Sequence, residues 1–422
     1  MKEWEVEVRK LRDALVDVFP DLRPLPKPVA EVPDQNRELA ATSFMLRRGE
    51  VEPELFDYQR ELGEKVLAEI PGGGRCLVSL PTGAGKTRTA VWTILRAMAD
   101  GVCTRVVWLA PSIELVEQAV GSFVSLWRQF GRAPDFEIVR RYQAGASNPV
   151  VWITTPQAIY ARAREHQEVG QWDVIVFDEA HQVTARTFLS AVELLMSPSE
   201  GATKRPLLVG LSATPGRVDP SETEDLVALF EGKLVRSKRL QPNAIEVLQR
   251  RGVLARLRFR ALTSKPPDVD DEIDRLVIAE RACAELARRD KRVLAFTGSV
   301  AGAVVLAEAL EANGVEARAV HSDLPPTERR AILADFGQGK VRVLTNQRLL
   351  ATGYDCPAVS DVVLLARVGS AVLFEQMVGR AARGPRTGGS REATIWDFDD
   401  HLKVYGRPKS YYRFAEFDWA DL

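Results

Sequence analysis

Along this chain, short runs of apolar and β-branched residues alternate with stretches in which apolar positions recur three and four residues apart. That alternation is the signature of parallel strands joined by helical crossovers. In the first half the runs 76–80, 105–109, 150–153, 174–177 and 207–211 predict five strands, enough for one sheet. The second half repeats the theme at 293–296, 317–320, 341–344, 362–365 and 393–396. The fold class expected is therefore α/β, with two domains in tandem, each a mostly parallel sheet flanked by helices. Between roughly 215 and 291 the pattern degrades into a charged stretch holding Lys265-Pro266-Pro267 and an acidic cluster from Asp268 to Asp274. A linker near Pro266 gives a first domain at 51–262 and a second at 263–422 with a short tail. Residues 1–50 read as an appended helical element: Trp4, Val8, Leu11 and Leu15 fall on one helical face, and Pro20, Pro24, Pro26 and Pro28 then stop the helix. Its expected resting place is the first domain.

Composition agrees with two domains. A chain of 422 residues, 45% hydrophobic and 27% charged, is too long for one ordinary open-sheet domain. No apolar run approaches the roughly 18 residues of a membrane helix, and the start of the chain lacks the apolar core of a secretory signal, so no membrane partner and a cytoplasmic location are expected. The cysteines Cys76, Cys103, Cys283 and Cys356 lie far apart without CxxC spacing, which argues against structural zinc. Net charge is −1, so any nucleic-acid track must be a local basic surface. Arg250, Arg251, Arg256, Arg258 and Arg260 form one candidate, with a solvated face as the alternative. In the tail Tyr405, Arg407, Lys409, Tyr411, Tyr412 and Arg413 interleave bases with aromatics; they either stack nucleotides or pack on the second domain.

Chemistry enters after the first long strand, where Pro81-Thr82-Gly83-Ala84-Gly85-Lys86-Thr87 leads into an apolar helix. Glycines let such a loop wrap phosphates, Lys86 neutralises their charge, and the Thr87 hydroxyl can ligate Mg2+. The site thus calls for ATP with Mg2+. Asp178-Glu179-Ala180-His181 follows another strand: Asp178 suits magnesium and Glu179 suits polarising the attacking water, and the tetrapeptide resembles the DEAH box of one helicase group, which implies a coupling role for His181. Upstream, Gln59 can pair with an adenine edge while Phe56 or Tyr58 stacks on the ring. Ser212-Ala213-Thr214 ends the fifth strand with small hydroxyl side chains, Ser212 and Thr214, that can bridge to the carboxylates. Ser112 and Thr155 also follow strands, either facing backbone phosphates or serving as ordinary helix N-caps.

In the second half Gln376-Met377-Val378-Gly379-Arg380-Ala381-Ala382-Arg383 places Gln376, Arg380 and Arg383 on one face if helical. The two arginines read as fingers for the γ-phosphate, a role worth about 10³ to 10⁵ in rate, or on the order of 4 to 7 kcal/mol. Thr345-Asn346 and Ala351-Thr352-Gly353-Tyr354-Asp355-Cys356-Pro357 resemble motif V of superfamily 2 helicases, which implies Gly353 and Asp355 near nucleotide and Thr345 near a nucleic-acid strand; Phe296-Thr297-Gly298-Ser299 resembles their motif IV, which implies the same strand-facing place for Thr297.

These motifs in this order resemble the superfamily 2 helicases over about residues 55–400. The loop matches their P-T-G-x-G-K-T form, with Leu80 where the strict phosphate-loop pattern has glycine. Asp178 to His181 resembles the DEAH box, Tyr58-Gln59 the Q motif, Ser212 to Thr214 motif III, Thr297 motif IV with His321-Ser322 after it, 345–357 motif V, and Gln376 to Arg383 motif VI. Asn346 stands where many relatives have aspartate, and the segment from Thr345 to Gly353 is two residues longer than in DEAD-box proteins. Both departures, with Arg217-Val218-Asp219 after motif III, resemble the branch of type I restriction motor subunits and related repair and phage helicases. The resemblance implies tandem RecA-like domains and a nucleic-acid-stimulated ATPase acting as helicase or translocase, on DNA in preference to RNA. It also suits repair or antiviral defence, with a protein partner supplying targeting. No room is expected for a large nuclease or a long strand-separating hairpin. The alternative is a non-translocating ATP-gated clamp or sensor subunit of a larger complex.

Overall fold

In the computed structural model the described residues are 2–24, 43–46, 54–130, 135–140, 149–166, 169–182, 186–197, 205–216, 219–263, 271–398, 401–406 and 419–421. Lys265 to Pro267, Arg217-Val218 and the tail residues Arg407, Lys409, Tyr411, Tyr412 and Arg413 lie outside them. Two compact lobes are formed. The first comprises Asp34–Val247 and Lys409–Leu422, the second Met1–Pro33 and Leu248–Pro408. The chain therefore passes between lobes three times.

Among the described residues of the first lobe, nine strands form one sheet in the order β1-β4-β5-β3-β6-β7-β2-β8-β15. These are β1 (Ser43–Leu46), β2 (Gly74–Ser79), β3 (Arg105–Leu109), β4 (Phe136–Val139), β5 (Val150–Thr154), β6 (Val174–Asp178), β7 (Leu207–Ser212), β8 (Lys233–Val235) and β15 (Ala420–Asp421). Only β1 runs antiparallel to its neighbour. The central strands are buried from end to end because helices cover both faces, which is why they read as continuous apolar runs. Gly210 in β7 leaves room for neighbours on one face: a Cβ there would sit 2.4 Å from the Phe230 ring and 2.6 Å from Leu77.

Among the described residues of the second lobe, six parallel strands take the order β11-β12-β10-β13-β14-β9. They are β9 (Arg256–Ala261), β10 (Val293–Phe296), β11 (Ala317–Val320), β12 (Val343–Asn346), β13 (Asp361–Leu364) and β14 (Glu392–Asp397). The tandem α/β class expected from the hydrophobic pattern is the one observed. Two placements differ. The division between lobes falls at Val247/Leu248, earlier than the expected 262/263, because Arg256–Ala261 pairs with β14 as an edge strand of the second sheet. Its Leu257 and Phe259 point into the core while Arg256, Arg258 and Arg260 line the other face.

The N-terminal helix Glu3–Leu15 packs on the second lobe, not on the first as expected. Val8, Leu11, Leu15 and Phe19 join one core with Leu276, Cys283, Leu306 and Leu310 of the helices Glu272–Arg288 and Val300–Ala312. Arg12 Nε donates to Glu308 Oε2 at 2.8 Å, giving a buried carboxylate its cation. Trp4 donates to Asp323 Oδ2 at 2.7 Å and lies over His321, ring centroids 4.8 Å apart. Sequence could not choose between these seats, since an apolar stripe fits any complementary groove.

Candidate active site in each lobe

In the first lobe, β7 lies between β6 and β2, so the carboxyl ends of three adjacent strands deliver Asp178, Ser212 and the Pro81–Thr87 loop to one edge of the sheet. That edge is where open α/β sheets place ligands. Gly83 (φ +86°) and Gly85 (φ +88°) take left-handed backbone, which a side chain disfavours, and the helix Lys86–Ala99 starts directly after Gly85. Lys86 and Thr87 occupy its first turn, where the backbone N–H groups and the helix dipole favour anions.

Asp178 is buried, and burial, then the adjacent Glu179 carboxylate, push its carboxyl up from the ordinary value, with Lys86 opposing. A buried acid beside a second acid and a lysine suits a divalent cation that would relieve the repulsion. Glu179 holds φ +51°, an uncommon conformation for a non-glycine residue. Its Oε2 lies 3.5 Å from His181 Nδ1, which lies 3.3 Å from Ser212 Oγ. Ser212 Oγ donates to Thr214 O at 2.7 Å and accepts from Thr214 N at 3.1 Å. Glu179, His181, Ser212 and Thr214 are thus linked in one buried chain.

The residues expected at the base take a different posture. Tyr58 is fully buried and its hydroxyl donates to Ala84 O at 2.9 Å, so it braces the phosphate loop and cannot stack on a base. Gln59 is buried too, donating through Nε2 to Ala84 O at 3.1 Å and accepting from Phe56 N at 3.1 Å. Phe56 is half-buried and lies parallel to Tyr58 at 5.6 Å, so it is the more exposed of the two rings. Ser112 and Thr155 are N-caps: their side-chain oxygens accept from Leu115 N at 3.4 Å and Ala158 N at 3.3 Å.

In the second lobe the helix carrying Gln376 spans Ala371–Gly379, with Arg380 at its cap. Arg383 lies past its end, paired in an isolated bridge between Leu254 and Arg383, so the three side chains do not share one helical face as expected. The structure instead joins two of the proposed nucleotide residues to each other. Arg383 Nε and Nη2 donate to Asp355 Oδ1 and Oδ2 at 2.9 and 2.6 Å, a bidentate pair. Arg380 donates to Tyr354 O at 2.6 Å and to Gln376 O at 3.2 Å. Motif V therefore holds both arginines, and Gly353 at φ +74° makes the turn that brings Tyr354 and Asp355 to them.

Thr345 and Thr297 are buried and spend their hydroxyls internally, on Ala303 O at 2.7 Å and Ser299 O at 2.8 Å. Neither presents its hydroxyl to a strand at the surface, contrary to expectation; both residues sit at carboxyl ends of strands where packing claims small hydroxyls first. His321 likewise lies under Trp4. Sequence reasoning missed Asp397 and His401: His401, held by Asp397, binds the loop ahead of Ala371–Gly379, as does Tyr405, the tail residue for which packing on the second domain was one of the two expectations. The i, i+4 spacing of Asp397 and His401 was the available signal.

Residues 52–217 match the family described as type III restriction enzyme, res subunit, and residues 274–385 match the helicase conserved C-terminal domain. A putative ATP-dependent helicase IRC3 of Saccharomyces cerevisiae is 24% identical over 78% of the chain, which spans 50% of that protein. S. cerevisiae Dbp5 bound to RNA and ADP BeF3 superposes with TM-score 0.58 at 18% identity, over 86% of this chain and 89% of that one. The ATP-dependent type ISP restriction-modification enzyme LlaBIII bound to DNA gives 0.56 at 17% identity, over 82% of this chain and 28% of that one. No helix among the described residues is long and apolar enough to cross a membrane.

Proposed function

Starting from the fact that this chain belongs to the superfamily 2 helicases, among those related to restriction motors and to repair and phage helicases, we propose that it is a nucleic-acid-stimulated ATPase. In this reading it translocates on or remodels DNA. The observation that carries it is the half-site of the first lobe, where the lysine-bearing loop after β2 and a buried Asp178–Glu179 pair after β6 stand at the same carboxyl edge of the sheet, one strand apart, with Lys86 acting on the Asp178 carboxyl.

Lys86 and the N-terminal amides of its helix bind the β and γ phosphates of ATP. Glu179 takes the proton of the water that attacks the γ-phosphorus; the bond to the β–γ bridging oxygen breaks, and ADP and phosphate leave. Thr87 and Asp178 would hold Mg2+, which would neutralise phosphate charge. Phe56 stacks on adenine, while Tyr58 and Gln59 set the loop's position through Ala84 O. His181, Ser212 and Thr214 pass the state of the site along their hydrogen-bonded chain. Arg380, with Gln376 and Arg383, stabilises the charge developing in the transition state; Arg383 then exchanges its Asp355 partner for phosphate. The likeness to a restriction motor supports DNA over RNA, and a partner protein supplies targeting in repair or antiviral defence.

Rates of ATP hydrolysis with single-stranded DNA, duplex, forked DNA and RNA, alongside strand or triplex displacement, test this. Stimulation by DNA with displacement supports the motor. Stimulation without displacement supports the ATP-gated clamp instead. No stimulation by any nucleic acid refutes both. Arg380→Ala should cut turnover far more than ATP affinity.

A further inference from the structure

The loop 366–370 leads out of β13 into the helix that presents Gln376 and Arg380, so its placement sets where those groups go. One residue in it, Val368, is held through both its backbone N–H and its carbonyl by side chains from beyond β14. Val368 N donates to His401 Nε2 at 2.8 Å, and Val368 O accepts from the Tyr405 hydroxyl at 2.5 Å. The two residues stand four apart on the short helix His401–Tyr405, hence on one face. A backbone N–H can only donate, so His401 Nε2 is an acceptor and the ring proton sits on Nδ1. That proton goes to Asp397 Oδ1, 2.8 Å away, while Asp397 Oδ2 accepts from His401 N at 2.9 Å. The carboxylate thereby fixes both the tautomer and the orientation of the imidazole. Phe374, in the first turns of the presenting helix, stacks on His401 (5.7 Å, 10°) and meets Tyr405 at 5.8 Å. Phe374, Asp397 and His401 are all buried. Ser370 caps the helix by accepting from Leu373 N at 3.4 Å.

We propose that His401 and Tyr405 are positioning residues for ATP hydrolysis: together they clamp the backbone of Val368 on both sides of its Cα and so aim the helix that carries Gln376 and Arg380. A core contact would need only the ring stack. Two directional hydrogen bonds on the successive peptides that flank Val368 fix the loop's orientation as well, and the helix of nine residues transmits that orientation to its far end. Arg380 lies at that end, where its Nη1 donates to Tyr354 O. A misplacement of about 1 Å there is enough to cost up to roughly a hundredfold in rate.

The proposal rests on the ATPase reading, and its test keeps the two apart. Three full-length variants serve. Tyr405→Phe deletes one hydroxyl and keeps the ring; His401→Phe deletes the acceptor and keeps the stack; His401→Gln puts an amide oxygen where Nε2 stood. Hydrogen–deuterium exchange over 366–370 reads the clamp directly, whether or not the protein hydrolyses ATP. Turnover and KM for ATP, at saturating nucleic acid, read its consequence. Expected are faster exchange and roughly tenfold lower kcat in Tyr405→Phe and His401→Phe, with KM within about twofold and recovery of most of the kcat in His401→Gln. Unchanged exchange in Tyr405→Phe overturns the clamp. Faster exchange with unchanged kcat overturns the positioning role, leaving only a structural contact. A wild-type protein inactive with every nucleic acid would overturn the ATPase reading, while exchange would still decide the clamp.

Discussion

Leu15→Ala tests whether the N-terminal helix is integral to the second lobe. Leu15 is wholly buried in a core with Leu276, Leu306 and Leu310. Truncating such a leucine costs about 2 to 5 kcal/mol, transfer and cavity together. A helix distant in sequence from the rest of its lobe can detach before the lobe unfolds, so the loss is capped by its docking free energy. Val8, Leu11 and Phe19 and the Arg12–Glu308 ion pair remain to hold it, which makes about 3 kcal/mol attainable. For a lobe of this size, each kcal/mol moves the melting temperature by about 2 to 4 °C. The expected shift is then about 6 to 12 °C. Scanning calorimetry with and without a non-hydrolysable ATP analogue identifies the lobe affected. The analogue raises the melting of the lobe that binds it, by about 2.7 kcal/mol at a hundredfold excess over Kd. Leu15→Ala should lower the other transition. A loss below about 0.5 kcal/mol, or a shift confined to the analogue-sensitive transition, refutes the placement.

Lys86→Ala and Glu179→Gln should each abolish ATP hydrolysis while circular dichroism and melting stay native; normal turnover in either would overturn the site. Gly85→Ala forces a side chain into left-handed backbone with its Cβ 2.3 Å from Gln59 Nε2, costing about 1 to 3 kcal/mol in displaced packing and weakening ATP binding in a titration by tenfold or more. Unaltered affinity would show that Gln59 does not brace the loop. For Asp397, burial alone would raise the carboxyl, but hydrogen bonds from His401 outweigh it and hold it below the ordinary value. A carboxyl lowered by folding stabilises above its unfolded pKa, about 3.9, and that stability is lost as pH falls below it toward the folded value. Asp397→Asn should therefore flatten the acid limb of a denaturation profile below about pH 4, and an unchanged limb would contradict the pairing.

The buried strands were legible because a strand covered on both faces has nowhere to put a polar residue: β3, β5, β6 and β7 are apolar runs in sequence and fully or nearly buried in space. Edge strands were not. Arg256–Ala261 reads as a basic cluster, although the alternation of Leu257 and Phe259 with arginines is the pattern of a half-buried strand. The phosphate loop and acidic box were legible since backbone conformation itself demands Gly85 and chemistry demands Lys86. What lay out of reach were partnerships across long sequence distances. Nothing local shows that Arg383 rests on Asp355, that Tyr58 turns inward to Ala84, or that His401 reaches back to Val368. Hydroxyls misled for a related reason: Thr345 could face a ligand or a carbonyl, and only the fold decides.

Because the second lobe is assembled from segments on either side of the first, Met1–Pro33 and Leu248–Pro408, the order of synthesis and the order of assembly disagree. The helix Glu3–Leu15 leaves the ribosome well before its receiving surface, which is complete only when Leu310 has emerged. At about 5 to 20 residues per second, the intervening chain takes roughly 15 to 60 s to make. Throughout that interval the nascent polypeptide carries an uncovered apolar stripe of Val8, Leu11 and Leu15, a natural substrate for chaperones that scan emerging chains.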